Sequence, residues 1–336
     1  MDEINDLPPA NPSSQLPFTI PTAPMTFGQI LDRIYRLTRA HWRTFYSIAA
    51  VPVTLAVVTC AVLLCFMLPE IIAGSAAPTS SIGAHAGPSP MFSVAGILLS
   101  YPFFIAVFAL YMAAAIHASL QADLGIVVSC SEAYRAARSR FGRYLWLMIL
   151  CFLSMMIPML IFIVSWGVMQ VLAIKPGTSP TSMFVLIPLF VLLMIALPVY
   201  TFIVVLRLSL VYPACIEEDT TAWTALRRSI RLTRGAMGRI FLVMLVIYAI
   251  SYAALLAFLA VCIAVAAICA AIGVAVHVTQ GSPAFVVFVG LGILAYCLVM
   301  FVYALFSYSA MTTAVAVIYH DQKLREQNLA SMPNRV

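Results

Sequence analysis

The sequence predicts an all-α bundle of about six membrane-crossing helices, and three observations carry that prediction. First, the 336 residues are 63% hydrophobic and only 9% charged, whereas soluble domains are about 45–50% apolar and about 25% charged. No soluble core covers this much apolar surface, and no polar stretch is long enough to form a second, soluble domain. Second, six apolar runs reach the ~20 residues needed to cross a ~30 Å hydrocarbon layer: residues 44–69, 91–120, 144–174, 183–212, 240–276 and 284–319. Third, the basic residues gather in alternate connections. This predicts a six-span domain over residues 26–320, between cytoplasmic tails at 1–25 and 321–336.

The N-terminal tail carries Asp2, Glu3 and Asp6, no Lys or Arg, and prolines at 8, 9, 12, 17, 21 and 24. A secretory leader begins with a basic segment and an apolar core, so this stretch reads as a disordered tail instead. A helix is predicted next. Thr26 and Gln29 fit a capping box just after Pro24. Phe27, Ile30, Leu31, Ile34, Leu37, Trp42 and Phe45 then recur on one face, and Asp32, Arg33, Arg36, Arg39 and Arg43 on the other. Such a helix is expected to lie in the membrane interface with its apolar face in lipid.

A second short helix is predicted after Ser129-Cys130-Ser131-Glu132, another capping-box pattern. A third follows Glu217-Glu218-Asp219, acids that suit a helix N-terminus. Its expected apolar side is Trp223, Leu226, Ile230, Thr233 and Met237, and its basic side Arg227, Arg228, Arg231 and Arg234.

These three segments resemble one another. Residues 35–40 read YRLTRA, 134–139 YRAARS and 230–235 IRLTRG; Gly142 and Arg143 match Gly238 and Arg239 in register. Each segment leads into a transmembrane hairpin, so the predicted unit is an interfacial helix plus two spans, repeated three times. The basic residues sit in these segments and near the C-terminus (Lys323, Arg325, Arg335), apart from Arg207 inside span four and Lys175 in an opposite loop. Basic residues mark the cytoplasmic side, so both termini are expected there.

Within the spans, Pro52, Pro102, Pro158, Pro188 and Pro198 predict kinks packed against neighbours, or breaks that line a pathway. In span five, Ala253, Ala257, Ala260, Ala264, Ala267 and Ala271 form a seam of small residues suited to close helix packing. Contact inside the bundle is favoured over a dimer interface. The eight cysteines include no CxxC pattern and read as small buried apolar residues.

Catalytic chemistry finds little to work with. His41, His85, His117, His277 and His320 are scattered, and no metal or cofactor site is expected. Glu217-Glu218-Asp219 is the densest carboxylate group, and capping plus salt bridges to Arg227 or Arg228 is its simpler reading. Arg207 reads as a side chain reaching back to the interface. No phosphate loop or nucleophile elbow is present. The net charge of +6 is spread over juxtamembrane segments, which suits anionic headgroups and argues against nucleic acid.

Two stretches resemble a known family. One runs from Phe27-Gly28-Gln29-Ile30-Leu31-Asp32-Arg33 to Trp42-Arg43. The other runs from Pro213 through Glu217 to Ala225-Leu226-Arg227-Arg228-Ser229-Ile230-Arg231-Leu232-Thr233-Arg234-Gly235. Over residues 26–320 the chain resembles the membrane domain of bacterial glycerophosphodiester phosphodiesterases and their stand-alone relatives. In the full-length enzymes the resemblance implies a separate catalytic barrel, absent here, so it implies a membrane module in the bacterial cytoplasmic membrane. The expected function is non-enzymatic engagement of anionic phospholipids or a partner membrane protein. Arg36, Arg39, Arg135, Arg138, Arg231 and Arg234 are the expected phosphate contacts. The alternatives are a small-molecule or lipid transporter along a pseudo-threefold axis, and a headgroup enzyme using Glu217 or Glu218. Oligomeric state is left open.

Overall fold

The computed structural model describes residues 23–76, 90–174, 180–275 and 283–331, and every element among them is a helix. The order is α1 (Phe27–Ala40), α2 (Trp42–Ala76), α3 (Pro90–Asp123), α4 (Cys130–Ser139), α5 (Phe141–Ile174), α6 (Pro180–Leu208), α7 (Val211–Glu217), α8 (Ala222–Thr233), α9 (Met237–Ala275) and α10 (Pro283–Ala330). Six of these, α2, α3, α5, α6, α9 and α10, are long and apolar enough to cross a membrane, which fits a multi-pass membrane protein. They match the six apolar runs, with most ends extended.

The short helices start where local chemistry satisfies their free amides. Gln29 Oε1 accepts from the Thr26 amide at 2.7 Å. At α4, Ser129 N donates to Glu132 at 2.8 Å and Glu132 N donates to Ser129 Oγ at 3.3 Å, the expected capping box. At α8 the N-cap is Thr221, not the acidic trio. Glu217 ends α7, and Asp219 lies in the α7–α8 turn at φ 51°.

The expectation that the apolar faces of the short helices lie in lipid needs correcting. Their packed faces turn into the bundle. Ile30, Ile34 and Leu37 of α1 are buried, as are Ala133 and Ala137 of α4. On α8 the buried face is Ala222, Ala225, Ser229, Leu232 and Thr233, while Trp223 of the expected stripe is exposed. The reason is close approach. Small side chains let α8 seat against its neighbours, and the bulky stripe is displaced to the side.

The packing runs in a cycle. α4 lies on α2 and α3, α8 on α5 and α6, and α1 on α9 and α10. Each short helix thus covers the hairpin before it, and the first covers the last. The long helices follow suit: α3 meets α5, α10 meets α2, and α6 meets α9, the last junction being the sparsest. The core gathers at one end of the bundle, where α1, α4, α7 and α8 meet residues 109–122 of α3 and 314–319 of α10. At that end lie both Met25 and the last turns of α10, joined by a hydrogen bond from Met25 N to Asp321 at 2.8 Å. Away from it, α5, α6 and α9 present exposed apolar side chains such as Leu160, Leu192 and Ile263.

Three further expectations change. The alanine seam (Ala253, Ala257, Ala260, Ala264, Ala267, Ala271) is exposed along α9, because α9 turns Ser251, Ala254, Leu255 and Phe258 inward instead. Contact within the chain is therefore not its use. The expected tail from residue 321 is helical to Ala330 and pinned by ion pairs. Met25, expected in the disordered tail, is buried. The rest of that tail up to residue 22, and His85, Lys175, His277 and Arg335, lie outside the described residues.

Candidate functional site

Three hairpins return to the same end with an acidic residue: Asp123 closes α3, Glu217 and Glu218 follow α6, and Asp321 lies near the end of α10. In that packed layer their charges require partners, and the short helices and helix starts supply them.

Asp123 is 1% exposed and accepts from Arg33 Nε of α1 at 2.5 Å. Its other oxygen meets His320 Nδ1 at 2.5 Å, and His320 Nε2 lies 3.3 Å from Glu217. Lys323 Nζ completes the group, 2.5 Å from Glu217. One imidazole thereby bridges two carboxylates and ties α10 to α3 and α7. A cavity of about 210 Å³ lies beside it.

Arg228 of α8 donates to Glu218 at 2.7 Å and reaches Glu326 of α10 at 2.5 Å. These carboxylates, Glu326 foremost, raise the guanidinium pKa above its ordinary value. Tyr319 also donates to Glu218 at 3.2 Å. The simpler reading of the acidic trio thus holds for Arg228, whereas Arg227 stacks on Trp223 at 5.3 Å.

Arg143 and Arg239, matched in the repeat, do matched work. Arg143 of α5 donates to Asp219, just before α8, at 2.5 Å, and Arg140 pairs with the same carboxylate. Arg239 of α9 donates to the carbonyl of Met25, just before α1, and lies 3.4 Å from Asp321. Each grips the segment that leads into the short helix packed on the hairpin it belongs to. The hydrogen bond from Arg143, helped by the charge of Arg140, holds the Asp219 carboxyl below its usual range.

The six arginines expected to meet phosphate are all exposed at this end. Arg36 pairs with Asp32 at 2.6 Å, a solvated i,i+4 contact, and Arg231 lies 3.5 Å from Glu326. Arg39 donates to Tyr35 at 3.4 Å. Exposed aromatic rings accompany them: Tyr35, Trp42 under Arg43, and Trp223 under Arg227.

Two larger cavities flank this layer. One, of about 580 Å³, lies between the α8–α9 turn and the end of α10, and Arg231, Arg234, Arg239 and Arg325 all line it. The other, of about 770 Å³, opens between α5, α6 and α9, at the sparsest junction of the cycle. Pro158 and Pro198 line it beside methionines such as Met155, Met194 and Met244, and its lining is almost wholly apolar.

Sequence reasoning missed Asp123, Asp321 and the role of His320. The available signal was positional: Asp123 and Asp321 are isolated acids at the ends of apolar runs, where an ionisable group needs a partner. No group of three or more His, Cys, Asp and Glu among the described residues has metal-binding geometry. The Asp123–His320–Glu217 group has the parts of an acid–base pair, and its contacts join α3, α10 and α7. No protein-family model, curated protein or solved structure matches this chain.

Proposed function

We propose that this chain is a non-enzymatic integral membrane module that engages anionic phospholipids through its short basic helices. The observation that carries the reading is a division of labour among the arginines. Arg33, Arg143, Arg228, Arg239 and Arg325 are committed to ion pairs inside the packed end. Arg36, Arg39, Arg135, Arg138, Arg231 and Arg234 stay exposed on the three short helices. Phosphate oxygens suit such guanidinium groups, and each basic residue near an anionic surface contributes about 1 kcal/mol.

On this reading the exposed apolar faces of α5, α6 and α9 meet lipid, and the charged end with both termini faces the cytoplasm. The membrane is a bacterial cytoplasmic membrane, as the resemblance to the glycerophosphodiester phosphodiesterase membrane domain implies. The three short helices head three repeats. The cyclic packing and the matched grips of Arg143 and Arg239 support that organisation.

Native mass spectrometry from mild detergent tests the function. The wild type should retain anionic phospholipid in near-integer stoichiometry, and the variant with all six arginines changed to Gln should lose it. Equal retention by both forms, or none by either, would sink the reading.

The apolar cavity favours a second reading, passage of a lipid or apolar small molecule between α6 and α9. Met-rich walls adapt to varied apolar guests, and Pro158 and Pro198 lie inside the helices beside it. Narrowing the cavity with Met194→Trp should stop flux in proteoliposomes if this is a pathway. Unchanged flux removes it.

A further inference from the structure

We propose that the cavity between the α8–α9 turn and the end of α10 is a built site for the phosphate group of a small amphipathic anion, either a phospholipid headgroup or a soluble organic phosphate. The proposal deepens the lipid reading and rests on it for the depth of the cavity in the membrane. It singles out one location where the exposed arginines otherwise act as a diffuse surface.

Charge is the first argument. Four guanidinium groups, Arg231, Arg234, Arg239 and Arg325, line one cavity of about 580 Å³, a volume within the range of small-molecule sites. Glu326 is the acid that lines it with them, and Glu326 is shared with Arg228, which lies outside the lining. Asp321, which pairs with Arg239 and Arg325, offsets one further charge. The lining keeps an excess of positive charge.

Preorganisation is the second. Arg239 and Arg325 both donate to the Met25 carbonyl, and both pair with the Asp321 carboxylate. These contacts fix two guanidinium groups before any ligand arrives, so less side-chain entropy is lost on binding. Arg231 and Arg234 are exposed, and Arg231 makes only a long 3.5 Å contact with Glu326, so both can close over an anion. The turn between the helices is held open by Gly235 at φ 84°. It delivers the N-terminus of α9, a 39-residue helix that begins at Met237. The first-turn amides of a helix have no intrahelical partners, so this N-terminus adds a positive end near the arginines.

Shape is the third. Leu232, Ala236 and Leu329 line the same cavity, so a ligand with an apolar part beside its phosphate fits better than phosphate alone. The apolar run of α9 begins within a few residues of the turn, at Ile240, which sets the cavity at headgroup depth.

The test is isothermal titration of the full chain in nanodiscs of zwitterionic phosphatidylcholine. Dihexanoyl phosphatidic acid probes the lipid source and inorganic pyrophosphate the soluble one. The wild type should bind one equivalent of at least one probe. R231Q/R234Q should bind it about tenfold or more weakly, since charge-assisted hydrogen bonds are lost. R43Q/R227Q, at exposed arginines outside the cavity, should stay within about twofold of wild type, because solvated surface charges contribute little to a site they do not touch. Binding of dihexanoyl phosphatidic acid alone assigns a lipid headgroup, and binding of pyrophosphate as well assigns a soluble phosphate. E326Q should tighten binding, an effect that misfolding does not produce. Absence of binding by the wild type overturns the site, and so does equal weakening in both arginine variants. Equal weakening leaves the surface reading standing, which fails only by the six-arginine lipid-retention experiment.

Discussion

Asp219 concentrates several demands in one side chain. It holds φ 51°, a left-handed conformation costly for most residues but tolerated by Asp and Asn. Its carboxylate pairs with Arg143 and Arg140 across the α4–α5 turn. Asp219→Asn keeps the backbone tolerance and removes the charge, whereas Asp219→Ala loses both. Melting temperature in detergent at pH 7 should therefore fall in the order wild type, Asn, Ala. The Asp219 carboxyl is held low in the folded chain. Its stabilisation is then complete above the unfolded pKa of about 3.9 and is lost as pH falls through the lower folded value. The advantage of wild type over Asp219→Asn should vanish on strong acidification, and an advantage that persists there contradicts the ion-pair role. Arg33 and Arg36 offer a sharper contrast on one helix. Arg33→Ala leaves the buried Asp123 without its guanidinium and should cost about 3–5 kcal/mol. Arg36→Ala removes only a solvated pair and should leave the melting temperature unchanged. The order of those two was not legible in sequence, because both arginines lie on the same polar face of one amphipathic pattern.

At the scale of the element, the short helices are wedges in the bundle. Leu37 of α1 is fully buried, so Leu37→Ala should destabilise by about 2–5 kcal/mol, read from chemical denaturation in detergent. Ser129→Ala, which removes a cap of α4, should cost about 1 kcal/mol. Periodicity found the buried face of α1 because its large apolar residues are also its packed ones. It misplaced the face of α8 because there the packed residues are Ala222, Ala225 and Ser229. A pattern of bulky residues marks where apolar area is available, whereas close helix approach selects small ones. Ala225→Leu should accordingly destabilise more than Trp223→Ala, despite the larger side chain lost in the second.

At the scale of the molecule, each short helix closes over the preceding hairpin, and α1 closes the cycle over α9 and α10. Truncation through α1 should therefore disturb the far end of the sequence. Deleting residues 1–40 should expose Asp321 and accelerate amide exchange in residues 314–322 of α10, whereas deletion of residues 1–20 should leave it unchanged. The proposed orientation is tested at the same end. In a cysteine-free background, Arg138→Cys and Asn328→Cys should react with a membrane-impermeant thiol reagent from one side, and Ser81→Cys, in an expected outer loop, from the other. Labelling of Arg138→Cys and Asn328→Cys from opposite sides breaks the proposed orientation.

The sequence by itself determined the helical class, the six apolar lengths, the capped starts of α1 and α4 and the segregation of basic residues. Those are local quantities, fixed by hydropathy over some twenty residues or by a cap within one turn. Tertiary structure alone decided which arginines are spent on the packed end and which stay exposed. It also decided that the α9 seam faces outward, and that His320 bridges Glu217 and Asp123, the latter 197 residues before it. Burial and ion pairing are properties of neighbours brought together from distant positions. A single guanidinium carries no sequence mark of whether a carboxylate will reach it.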